Sequence, residues 1–192
     1  MMLVEPQLFV SRLNEQLATL TPLQQLTFGA LCCERHLPEY KRFSADQNWG
    51  DVHVLDQSID LAWSFIRGDQ TADPKALEGL LAQCIEATPD SDDFPSAVSD
   101  YAQDSAIMVC HLVQFIAEGK VSSIVHLASR ARDLIDAKVQ IEHKLEPSDP
   151  DLEVKIANAP EMVAEISSLK NDLKAVSTSN KPQELLQLRQ SI

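Results

Sequence analysis

The stretch "SAIMVCHLV", residues 105–113, decides how this chain is read. Projected at 100° per residue, it is apolar nearly all round from Ala106 to Val113. A helix of that kind is stable only with neighbours on several sides, so it marks the centre of an all-helical packing. Its limits are expected near Pro95, where the chain leaves an acidic connector, and at Glu118, before the helix-breaking Gly119.

Outward from this centre, the remaining apolar residues also recur at helical spacing. A first helix covers residues 6–20. A second begins at the capping Thr21 with Pro22 in first position, and Pro38 is expected to end it ahead of the connector "EYKRFSADQNWGD". The third, "DVHVLDQSIDLAWSFIRG", runs from the capping Asp51 to Gly68 and carries the core stripe Val52, Leu55, Ile59, Ala62 and Ile66. A fourth spans Pro74 to about Ala87, and a sixth follows Gly119 to about Leu145. From Leu152 one long helical pattern reaches about Lys174. No segment alternates with period two and no internal repeat is evident. The expected fold is therefore all-α, a single compact bundle of six or seven helices with a largely apolar central helix near residues 95–118. Residues 1–178 form one helical domain, and 179–192 form a polar C-terminal tail or short docking helix.

Composition narrows the partners. The chain has 192 residues, 44% of them apolar and only 5% aromatic, which suits helix packing around one core. With 16 basic and 29 acidic residues its formal net charge is −13. No Lys or Arg falls between Lys75 and Lys120, and the basic residues of the sixth helix are interleaved with acidic ones. Such a field disfavours nucleic acid and anionic membranes and leaves a cation, a basic protein surface or a metal-bridged phosphate; a homo-oligomer or another protein partner is the expectation. Cys32, Cys33, Cys84 and Cys110 form neither a CxxC motif nor a zinc knuckle; free, core-facing thiols in a reducing compartment are expected. The N-terminus lacks signal-peptide character and the uncharged run 105–117 is too short to span a bilayer, so the expected location is the cytoplasm.

Three residues break the apolar pattern in a way that asks for chemistry. Glu34 falls within the apolar face of the second helix defined by Leu23, Leu26, Ala30 and Leu37, while Arg35 projects a quarter turn or more away. On the fifth helix Asp104 and His111, two turns apart, share the face of Tyr101, Met108 and Phe115. A buried carboxylate must be paired, hydrogen-bonded, metal-bound or protonated. Two readings stay open. Either Glu34 and Asp104 anchor packing through an arginine, a tyrosine hydroxyl or helix-end amides, or Glu34, Asp104 and His111 converge as ligands of a divalent metal ion, with Asp93 or Asp100 lending a further oxygen. The aspartates of "DSDDFPS", residues 90–96, need bind nothing, since Asp93 or Ser96 can serve as a helix cap. Asp56 and Asp60 on the third helix suit a solvated face. No HExxH, P-loop, GxGxxG or GxSxG motif is present.

The stretches "FGALCCERHLPEYKRF" (28–43), "GDVHVLDQSIDLAWSFI" (50–66), "EATPDSDDFPS" (86–96) and "DSAIMVC" (104–110) resemble the bacterial domain-of-unknown-function family that includes YjaG. A looser likeness continues through "SDPDLEVKI" and "SLKNDLKAV". The resemblance implies a compact, all-helical cytoplasmic protein and no particular activity, substrate or cofactor. Glu34, Arg35, Asp51, Asp60, Asp93 and Asp104 fall on the family's pattern; His111 does not. The functional expectation is an interaction or self-association module. The alternative is a metal-dependent hydrolase or lyase for a small phosphorylated or cationic metabolite, with Glu34 and Asp104 holding the ion and His111 ligating it or moving a proton.

Overall fold

The computed structural model describes residues 5–70, 73–90, 92–94 and 97–191, excepting the side chains of residues 5–7, 10, 11, 97 and 191. Among the described residues there are nine α-helices and no strand. They are α1 (Glu5–Ala18), α2 (Pro22–Gln47), α3 (Val52–Arg67), α4 (Pro74–Glu86), α5 (Ala97–Glu118), α6 (Val121–Glu142), α7 (Leu152–Asn158), α8 (Pro160–Thr178) and α9 (Pro182–Leu188), followed by a 3-10 turn, Arg189–Ser191. The all-α expectation holds, whereas the count of six or seven is too low. Pro160 is the main reason. The residue before a proline is driven to extended backbone, so Ala159 (φ −63°, ψ 137°) separates α7 from α8 where an unbroken helix is expected. The C-terminal segment adds α9, which packs on α3 and α2 and buries Leu185.

The apolar run is central. α5 packs against α2, α3, α4 and α6, and Ala106, Met108, Val109, Leu112 and Val113 have no solvent exposure. Gly29 lets α2 approach this centre: a Cβ there would stand 2.8 Å from Ile124 of α6 and 3.1 Å from Leu112 of α5. The third-helix stripe is buried as expected, apart from a partly exposed Val52, and all four cysteines are buried and unbridged. No helix among the described residues is long and apolar enough to cross a membrane.

Pro38 does not end α2, which continues through it to Gln47. A proline inside a helix costs about 3 kcal/mol through its missing N–H and its clash with the preceding turn. Its ring here faces water, and the next turn buries Tyr40 and Phe43 completely. Burial of one such aromatic is worth about 1.5–3 kcal/mol, so continuing the helix wins. α2 stops ten residues later at Asn48, whose left-handed conformation (φ 49°) closes the helix.

The corner after α2 depends on one hydroxyl. Tyr40 Oη donates to the Ala87 carbonyl (2.6 Å) and accepts from the Asp51 N–H (3.1 Å), joining the end of α4 to the start of α3. Gly50, at φ +87°, passes so close that a Cβ would stand 2.3 Å from Tyr40 Oη. Phe43, Trp49 and Phe94 close the corner with ring centres 5.1–6.0 Å apart. Tyr40→Phe keeps the ring and leaves two backbone groups without a partner. Urea melts should show it about 2 kcal/mol less stable than wild type, whereas an unchanged midpoint would mean that water replaces the hydroxyl.

Candidate functional site

The interior charges sit in three separate places, each with an arginine, and His111 has partners of its own. Glu34, on α2, is half-buried, with its side chain 17% exposed. Its partner is Arg189 of the terminal 3-10 turn, whose Nε donates to Glu34 Oε1 at 2.7 Å. The same guanidinium donates through Nη2 to Asp60 Oδ1 of α3, also at 2.7 Å, and lies over the Trp63 ring with its central carbon 5.4 Å from the ring centre. Burial pushes the Glu34 carboxyl up from its ordinary value, and Arg189 opposes that shift. The buried Trp63 indole N–H makes no hydrogen bond of sound geometry, yet it lies where it too favours the ionised Glu34. The Asp60 arm is 63% exposed and contributes at most about 1 kcal/mol, and the contact with the indole adds about 0.5–1 kcal/mol.

A quarter turn or more around α2, Arg35 serves a different partner, as its projection implies. Both terminal nitrogens bond to Asp172 of α8, and Nε lies 3.9 Å from Glu165. Glu165 is itself buried, and its Oε1 stands 3.2 Å from His36 Nε2 without a well-formed hydrogen bond. Burial raises the Asp172 carboxyl while Arg35 opposes it. Beside them the Cys32 thiol is pushed well up by burial, with Arg35 as the counterweight, so it stays a thiol.

At the α5–α6 seam Asp104, 14% exposed, pairs with Arg130 Nη1 at 3.1 Å. Burial is the largest influence on its carboxyl, which is pushed up to about 6 against the pull of Arg130. His111 turns to Gln114 (Nδ1 to Oε1, 2.9 Å) and faces the His126 ring at 5.4 Å between centres. Burial holds its pKa below the ordinary value. Glu34, Asp104 and His111 thus have separate partners, and among the described residues no group of three His, Cys, Asp or Glu is placed to hold a metal ion.

The other expected residues have local duties. Asp51 caps α3 through Oδ1 and the Val54 N–H (3.1 Å). In the acidic connector the Asp92 N–H donates to Asp90 Oδ1 and the Asp93 N–H to the Asp90 carbonyl, so Asp90 folds the turn around itself while Asp92 and Asp93 face water. Of the two expected caps, Asp93 is exposed in this turn, and Ser96 lies outside the described residues. Sequence reasoning missed Arg189, Glu165 and Asp172. Glu165 had a signal, since it falls on the α8 stripe of Met162, Ile166 and Leu169; Arg189, 155 residues from Glu34, had none.

Comparison with known proteins places this geometry in a family. The family described as "Protein of unknown function (DUF416)" matches residues 12–192. The uncharacterized protein YjaG of Escherichia coli K12 is 29% identical over 106 residues, 55% of this chain and 53% of its own length, so the chain spans about half the length of that relative. The crystal structure of a DUF416 family protein from Shewanella baltica OS155 superposes with a TM-score of 0.82 at 21% identity, covering 93% of this chain and 91% of that one, and shares the fold.

Asp104 carries a pH dependence of known sign. Its carboxyl titrates near 3.8 when unfolded and about 6 when folded, so the folded chain holds the proton more tightly and loses stability as pH rises between those values. Asp104→Asn cannot titrate. Its unfolding free energy minus that of wild type should therefore grow by on the order of 2 kcal/mol from about pH 4 to about pH 7, read by urea melts. A difference that stays level with pH would mean that Arg130 keeps Asp104 ionised throughout.

Proposed function

The chain belongs to the DUF416 family, and we propose that it works as an interaction module by self-association, seating the acidic α4 face of a second copy in a groove between α1 and α8. The observation that carries this reading is the groove itself, an open cleft of about 590 Å³ lined by Phe9, Leu20 and Leu173, with Lys170 and Lys174 outweighing Glu15 among its charged residues. Positive charge in that place is complementary to the rest of the molecule, whose net charge is −13. The face of α4 offers the matching shape and sign. Ile85 is 57% exposed on it, flanked by Glu78 and Glu86, in the span of the chain that has no Lys or Arg. An exposed isoleucine entering an apolar groove, with carboxylates reaching the lysines, is the usual division between interface core and rim.

The four buried, unbridged cysteines support a cytoplasmic setting, and the acid excess supports a protein partner over nucleic acid or an anionic membrane. Rim lysines meeting carboxylates make the association weaken with salt. Light scattering across a concentration series should show mass above the monomer's 21.3 kDa. Ile85→Glu or Lys174→Glu, each on an exposed position, should return the protein to monomer, and Lys174→Glu combined with Glu86→Lys should restore part of the assembly. A chain that is monomeric throughout, or an assembly indifferent to both single substitutions, overturns the reading.

A further inference from the structure

We propose that the cleft formed by Glu34, Asp60 and Trp63 is a binding site for a guanidinium group, and that Arg189 is its tethered occupant. The inference does not depend on self-association through the α1–α8 groove. It starts from how the site is divided. Its receiving side is built on two long helices, with Glu34 and its carboxylate on α2 and Asp60 and Trp63 three residues apart on α3, which fixes acid and ring on one face. Its occupant comes from the other end of the chain, on a 3-10 turn held by a seven-residue helix whose one buried side chain is Leu185.

The recognition is specific to a flat, forked cation. Nε and Nη2 of one guanidinium reach two different carboxylates at 2.7 Å each while its central carbon lies over an indole, 5.4 Å from the ring centre, and an ammonium group, a compact point charge, cannot satisfy all three at once. A structural clasp would need less. The buried Trp63 N–H, which makes no hydrogen bond of sound geometry, lies where it favours the ionised Glu34 and so supports the anionic side of the cleft. Tethering makes Arg189 a competitor at high effective concentration, so an external guanidinium enters when the short C-terminal helix lifts.

The test uses the full-length chain with Arg189→Ala, titrated with N-acetyl-arginine methylamide by calorimetry and by the NMR signal of the Trp63 indole N–H. The expected result is saturable binding that moves this signal, at least roughly tenfold tighter than in wild type, where Arg189 fills the cleft. Adding Glu34→Gln to Arg189→Ala should abolish it, and the matching lysine derivative should bind at least roughly tenfold more weakly. A peptide of sequence LQLRQS tells the sources apart: tighter binding than the bare arginine derivative assigns the site to an arginine within a chain, equal binding to a small guanidino compound. Should Arg189→Ala not fold, Arg189→Gln, which keeps a polar side chain over the carboxylates, takes its place. No binding by the open variant, equal binding by wild type, binding that survives Glu34→Gln, or equal binding of the lysine derivative each overturns the proposal.

Discussion

The close approach of α2 to the centre of the molecule at Gly29 is the constraint on which the other contacts depend. With no side chain at that position, the methyl groups of Leu112 and Ile124 fill the space a Cβ would take, and α2 lies against both α5 and α6. A helix that is apolar on all sides gains its burial only when such neighbours close in. Once α2 is seated there, the residues one and two turns further along it, Cys32, Cys33, Glu34, Arg35 and His36, are carried into or beside the core whatever their polarity. The chain then has to supply partners for them.

Those partners come from far along the sequence. Arg189 reaches Glu34 across 155 residues, Asp172 reaches Arg35 across 137, and Glu165 stands against His36. Partly buried ion pairs add little net stability, because desolvation offsets most of the attraction, but breaking one strands its partner. Their effect here is to specify: α8 and the terminal turn have one arrangement in which the charges of α2 are matched. The C-terminal third is thereby keyed to the first half by charge as well as by Leu169, Val176 and Leu185 in the core. Asp104 shows the limit of such pairing. Its carboxyl remains at about 6 even beside Arg130, so burial outweighs the cation there.

What the sequence made legible follows from range. The α3 stripe, the capping by Thr21 and Asp51, the central α5 and the buried thiols are local patterns with periods of three or four residues, and all are present. Glu34 and Asp104 were recognisable as polar residues on apolar faces for the same reason. Where the reading failed, a competition was decided by tertiary burial: Pro38 was outweighed by Tyr40 and Phe43, and no local signal weighs those terms. The break at Ala159 was accessible, since a proline's effect on its predecessor is local, and the strong pattern on either side concealed it. The partners of the interior charges were not accessible, because a single chain's spacing says nothing about which helix faces which.

The Glu34 site also shows why a permanent cation suits it. Burial raises the carboxyl and Arg189 lowers it, so the charge state of the cleft is linked to its occupant. With the guanidinium withdrawn, the same carboxyl takes up a proton more readily. A ligand that enters competes with that proton and must not surrender one of its own in a half-buried setting. Guanidinium, which keeps its charge at every physiological pH, meets both conditions; an amine, whose charged form burial disfavours, meets them less well. The same linkage holds the C-terminal turn closed most firmly when Glu34 is ionised. The proton and the cation are therefore competitors for one carboxylate, and the indole beneath favours the one with a flat face to present.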